Sequence, residues 1–267
     1  MSEDLSRRCS IVREGGSGKG PVIYWMSREQ RPFDNYALSI AQREAIRRRK
    51  PLVVIFCIVS GFAGAPVRHY DFMLRGLSST AEYLSKKNIR FELLIGDPSR
   101  EISKFAASVD AAMIVSDFDP SKIKAAWKRG LFSKTRVSHI EVDSRNVVPC
   151  HVASPKQEFG ARTLRPKIEK LLPDYLVEMP KISEHPFGKG GRFRMPPLEK
   201  LFDDLSVDRS VAPVDWIKPG FSAAAGALKD FIKDRLPKYA DLRNDPSLNF
   251  QSGLSPYLHF GQMSAQR

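Results

Sequence analysis

At 267 residues the chain is long enough for one large or two modest domains, and its 42% apolar content can fill a packed core, which excludes wholesale disorder. Its 43 lysines and arginines against 30 acidic residues leave a formal charge of +13, which points to a polyanionic partner, nucleic acid first. Three widely spaced cysteines, Cys9, Cys57 and Cys150, form no metal or redox motif, and the longest apolar run, residues 52–59, is far too short to cross a bilayer. With a polar, charged N-terminus the chain reads as soluble, non-secreted and cytoplasmic, or placed with DNA in a nucleoid or nucleus.

Residues 1–20 carry charge, Ser and Gly without periodicity and are expected to form a disordered arm. The run Gly16-Ser17-Gly18-Lys19-Gly20 is no nucleotide loop, because no strand precedes it and no Ser or Thr follows the lysine. From residue 22 strands and helices alternate. Strands are predicted at 22–26, 52–59, 91–95, 112–115 and 136–142. Between them, helices carry Leu38, Ala41 and Ala45, then Leu74, Leu77, Ala81 and Leu84, then residues 101–109, then the basic stretch 122–129. The pattern predicts an α/β, doubly wound parallel-sheet (Rossmann-like) domain over residues 21–153, able to fold as one unit.

Residues 154–221 read as a helical segment and a Pro/Gly-rich connector, with Pro166 either opening a helix or kinking one. Residues 222–267 turn helical again, with Ala227, Leu228, Phe231, Ile232 and Leu236 on one stripe. The basic clusters at 47–50, at Lys122, Lys124, Lys128 and Arg129, and at 189–194 each read alone as a solvated face.

The most telling stretch runs from Tyr239-Ala240-Asp241-Leu242-Arg243-Asn244-Asp245-Pro246 to Ser252-Gly253-Leu254-Ser255-Pro256-Tyr257-Leu258-His259-Phe260-Gly261. A small, hydroxyl-rich loop entering a helix with proline in its first turn is either a phosphate cradle or an ordinary helix cap. These paired segments closely resemble the flavin-binding entry of the DNA photolyase family. Trp25-Met26-Ser27-Arg28-Glu29-Gln30-Arg31 with Asp34-Asn35-Tyr36-Ala37-Leu38 resembles the N-terminal signature of its class II branch. Asp143-Ser144-Arg145-Asn146-Val147-Val148-Pro149-Cys150 and Thr163-Leu164-Arg165-Pro166 are similar to further landmarks, in the same order.

The resemblance implies light-driven repair of cyclobutane pyrimidine dimers in DNA by reduced flavin adenine dinucleotide (FAD), a carbon–carbon lyase acting as a monomer. It assigns Tyr239, Ser252, Gly253, Leu254 and Ser255 to the FAD, and an antenna chromophore of deazaflavin or folate type to the α/β domain. It sets Arg243 near DNA phosphate, against the alternative of an ion pair with Asp241 or Asp245. His259 reads as a packed core histidine, Cys57 as a core residue and Trp25 and Trp127 as packing; Trp216 receives no role.

The family's all-α flavin domain continues well beyond the point where this chain stops, so residues 222–267 read as its truncated start. No catalytic residue is identifiable here, and the chain alone is expected to be colourless and inactive. Two other readings stand beside repair: a cryptochrome-like photoreceptor or DNA-binding module, and a free-standing α/β nucleotide-binding protein.

Overall fold

The computed structural model describes residues 7–188, 190–191 and 193–267. Residues 1–6 of the expected arm, and Lys189 and Arg192 of the basic run at 189–194, lie outside them.

The β-branched runs form strands because a pleated chain buries alternate side chains on opposite faces. They are β1 (Cys9–Arg13), β2 (Val22–Trp25), β3 (Leu52–Ile58), β4 (Arg90–Ile95), β5 (Met113–Asp117) and β6 (His139–Val142), in the order β1-β6-β5-β2-β3-β4. β2 to β6 pair in parallel and β1 runs antiparallel to β6 at one edge. Val22 and Tyr24 meet α1 (Tyr36–Arg48) and α2 (Val67–Lys86) on one face. Ile23 and Trp25 meet α3 (Pro98–Ser108) and α4 (Lys122–Lys134) on the other. The sheet is doubly wound, as the alternation predicts. Each of these fully buried apolar side chains contributes about 1.5–3 kcal/mol.

The helix starts are locally encoded. The Asn35 side chain accepts the Leu38 N–H at 2.9 Å and donates to the carbonyls of Glu29 and Arg31. Asp97 caps α3 through the Arg100 N–H, with Pro98 in the first turn.

The described part of the expected arm is ordered, which corrects the reading of residues 1–20. Cys9 pairs with Val142 and Ile11 with Ile140. Arg8 anchors the strand: its buried guanidinium lies 3.9 Å from the Tyr36 ring centre and donates to the carbonyls of Asp143, Asn146 and Val147. The glycines beyond are not a free linker. Gly18 and Gly20 donate to the Ala111 and Asp110 carbonyls, and a Cβ on Gly20 would lie 1.8 Å from the Val109 carbonyl oxygen. Close backbone contact, rather than flexibility, accounts for Gly20.

After β6 come α5 (Cys150–Ala153) and α6 (Ala161–Tyr175), which runs on through Pro166 and Pro173 and packs Leu164, Ile168, Leu171 and Leu172 as predicted. The connector contributes to the core. Ile182, Val207 and, from α7 (Leu198–Asp204) and the turn after it, Leu201, Phe202 and Leu205 join the principal core. That core therefore reaches past residue 153.

The last segment forms α8 (Phe221–Asp230), a widened π turn at Phe231–Arg235, a tight turn at Leu236–Lys238, α9 (Tyr239–Leu242) and α10 (Ser255–His259). The widening precedes Pro237, which has no N–H for a regular helical bond. This segment docks on α2 through a small cluster of Phe72, Ala224, Leu254, Tyr257 and Met263.

Candidate functional site

Two places on this framework carry uncommitted chemistry. The first is a cavity of about 500 Å³ lined by residues at and after the carboxyl ends of β2, β3 and β5. The chain passes from β2 to β3 and β4 on one side and later to β5 and β6 on the other, and such a switch point leaves a crevice.

Its floor is held by Asp117. That buried carboxylate accepts from the Tyr24 hydroxyl at 2.6 Å and from the N–H groups of Ser27, Arg28 and Glu29 at 2.9, 2.7 and 3.0 Å. Burial and the adjacent Asp117 charge push the Tyr24 phenol well above its ordinary pKa. Arg28 then reaches Asp119 at 3.1 Å. Burial opposes ionisation of Asp119, yet bonds from Ser121 and the Arg28 charge hold its carboxyl below the ordinary range. Phe62, Trp127 and the Lys124 ammonium form one wall, the ammonium 4.7 Å from the Trp127 ring centre. Burial pulls the Lys124 pKa down, against the opposing charges of Asp119 and Asp117.

The C-terminal segment closes another side. His259 and Phe260 line the cavity, and Arg31 donates to the Gly261 carbonyl at 3.0 Å. Gly261 has φ +67°, and a Cβ there would lie 1.9 Å from the Arg28 carbonyl oxygen. Gln262 accepts the Gly220 N–H at 2.6 Å and donates to the Phe72 carbonyl. His259 is therefore not the core histidine expected: it is exposed, against Phe260, and partial desolvation with nearby Arg145 and Arg28 lowers its pKa. Cys57 also lines the cavity, half-buried, its thiol pushed up to about 12 by burial.

The second place holds the residues picked out from sequence. Tyr239 meets Phe231 edge-on at 5.3 Å, and the Arg243 guanidinium lies 5.5 Å from the Tyr239 ring centre. Arg243 makes no ion pair with Asp241 or Asp245, so of its two readings the local pair is not formed. Gln251 ties the two halves together, its side chain donating to the Arg243 carbonyl while its own carbonyl accepts from Arg235 at 3.0 Å. No hydrogen bond or ring contact joins Tyr239 directly to residues 252–255.

In the loop itself Leu254 is buried as an anchor, Ser252 accepts the Leu254 N–H, and Gly253 has φ +69° with open space where a side chain would lie. The hydroxyls of Tyr239 and Ser255 make no hydrogen bond among the described residues, and Ser255 is exposed. Free donors and room for close backbone approach fit the phosphate side of a dinucleotide.

Sequence reasoning passed over Arg28 and Lys124 as site residues. The available signal was position: residues just beyond the carboxyl ends of strands flanking the switch point.

Among the described residues no group of three or more His, Cys, Asp or Glu clusters as a metal site, and no helix is long and apolar enough to cross a membrane. The family model described as DNA photolyase matches residues 22–185. The chain is 43% identical to a deoxyribodipyrimidine photo-lyase of Potorous tridactylus over 92% of its own length and 46% of the relative's. It is 40% identical to the Arabidopsis thaliana deoxyribodipyrimidine photo-lyase, over 93% of this chain and 52% of that one. The chain thus spans about half the length of the curated relatives it matches. In fold it is similar to a cryptochrome of Synechocystis sp. PCC6803, with a TM-score of 0.69 at 18% identity, covering 92% of this chain and 54% of that one. Since the family match takes in more than half of its residues, the chain belongs to the DNA photolyase family.

Proposed function

We propose that this chain provides the α/β part and one wall of the flavin pocket of a deoxyribodipyrimidine photo-lyase. The observation that carries the reading is identity of up to 43% with relatives bearing that name, over 92% of this chain. When bound and reduced, FAD supplies the light-driven electron that opens the cyclobutane ring of a pyrimidine dimer. Gly253 lets the backbone approach the cofactor, Ser252 and Ser255 direct hydrogen bonds to it, Leu254 holds the loop against the small cluster on α2, and Tyr239 flanks the phosphate side. Arg243, free of carboxylates, meets a DNA phosphate. The cavity at the carboxyl ends of β2, β3 and β5 takes the antenna chromophore, of deazaflavin or folate type.

The test compares the 267-residue chain with the longest polypeptide its gene encodes, each given FAD and an oligonucleotide bearing one thymine dimer. The longer polypeptide is expected to retain FAD and restore the thymines under blue light, the chain alone to do neither. Flavin-loaded polypeptide that binds the damaged strand but never restores it under light would replace repair with a sensory role.

A further inference from the structure

Lys124 and Lys128 lie one turn apart on α4, yet their surroundings differ. Lys128 donates to the Asp117 carbonyl at 3.0 Å and pairs with Glu141. Lys124 has neither kind of partner among the described residues. Its contacts are ring faces, Trp127 at 4.7 Å and Phe62 at 5.5 Å, and both rings line the cavity with it. The carboxylates nearby are engaged elsewhere: Asp117 by Tyr24 and the backbone of residues 27–29, Asp119 by Arg28 and the Ser121 N–H. Arg28 also lines the cavity but is paired with Asp119, and His69 and His259 stand on the lining beside apolar Phe56, Ile58 and Met73.

A ring face holds an ammonium in place without neutralising it. A lysine so held in a mostly apolar cavity favours an incoming negative charge far more than a lysine in water does. The neighbouring rings suit a flat partner.

We propose that Lys124 is the specificity-determining residue of this cavity, selecting flat aromatic ligands that carry a negative charge over uncharged ones of the same shape. Trp127 and Phe62 grip the ring system, and the ammonium meets an anionic oxygen on its edge. The proposal rests on the reading that the cavity takes a ligand, and its test separates the two.

The probes are anilinonaphthalene sulfonate and its uncharged parent phenylnaphthylamine, titrated by fluorescence against the 267-residue chain. Only signal removed by Ala65→Trp, which fills the cavity, is counted. Lys124→Met is expected to weaken the sulfonate about tenfold and leave the uncharged probe within about twofold, while Lys124→Arg keeps the preference. Equal weakening of both probes by Lys124→Met, or no weakening of either, overturns the selection while leaving the cavity a ligand site. If neither probe gives signal sensitive to Ala65→Trp, the cavity reading fails and the selection with it. Lys124→Arg also guards against a folding defect, since a loss of sulfonate binding in both variants would show that the charge is not what matters.

Discussion

The α/β domain and the segment from residue 221 onward belong to one chain, but they satisfy their side chains in opposite ways. In the domain the cavity floor is densely cross-linked: four donors converge on Asp117, and Arg31, Glu29 and Asn35 tie down the loop after β2. In the C-terminal segment Ile232 and Leu236 are about half exposed, and the hydroxyls of Tyr239 and Ser255 make no hydrogen bond among the described residues. One region is cross-linked from within; the other leaves apolar surface and hydroxyls uncovered among the described residues. The difference separates residues that fold the protein from residues available for binding. Gly261 and Gln262 make contacts that join the two regions.

The sharpest way to break that contrast is at Asp117. Asp117→Ala leaves a buried phenol and three N–H groups without their acceptor and should cost about 3–5 kcal/mol in urea unfolding. A loss below about 1 kcal/mol would mean the floor is not held as described.

A more selective cut is Gly261→Ala, which forces a side chain onto the Arg28 carbonyl at positive φ. It should weaken docking of the C-terminal segment by about 2 kcal/mol, read as faster protease cleavage within residues 221–260, while the sheet still unfolds cooperatively. Simultaneous loss of both regions would merge them into one unit.

Acid should act on the sheet domain through His139. Its ring is buried against Phe132, its Nε2 lies 2.7 Å from the Ser116 hydroxyl, and burial pushes its pKa down to about 3 from 6.5. The unfolded chain therefore binds the extra proton across that window. Stability from the neutral ring is full above pH 6.5 and falls by about 1.4 kcal/mol per unit as the pH drops toward 3. His139→Gln should remove that component of the slope; an unchanged acid limb would contradict the assignment.

The smallest effect on folding is expected at Arg243. Arg243→Ala should change stability by less than about 0.5 kcal/mol. In the gene's longest polypeptide it should make the slope of log affinity for DNA against log salt shallower by about 0.9, uniformly across sequences. An unchanged slope would take Arg243 away from the phosphate.

Much of the domain was legible in the sequence because continuous β-branched runs such as Leu52–Ile58 admit few structures other than a buried strand. β1 was not: five residues bounded by arginines carry little periodicity, and the strand is fixed by the reach of Arg8 to carbonyls at 143–147, far along the chain. Helical spacing places Ile232 and Leu236 on one apolar stripe, and the structure leaves both about half exposed. The loop at 252–255 was found through family resemblance, whereas the cavity needed the strand order, which brings residues 28, 124 and 259 to one place.

We propose that residues 239–243 and 252–255 take a flavin while the sheet does not. Amide hydrogen exchange on the gene's longest polypeptide, with and without FAD, tests it most directly. FAD is predicted to slow exchange at residues 239–243 and 252–255 and to leave β2, β3 and β5 unchanged, because buried, fully paired central strands exchange through global unfolding. Protection confined to the sheet, or absent from residues 252–255, would contradict the account.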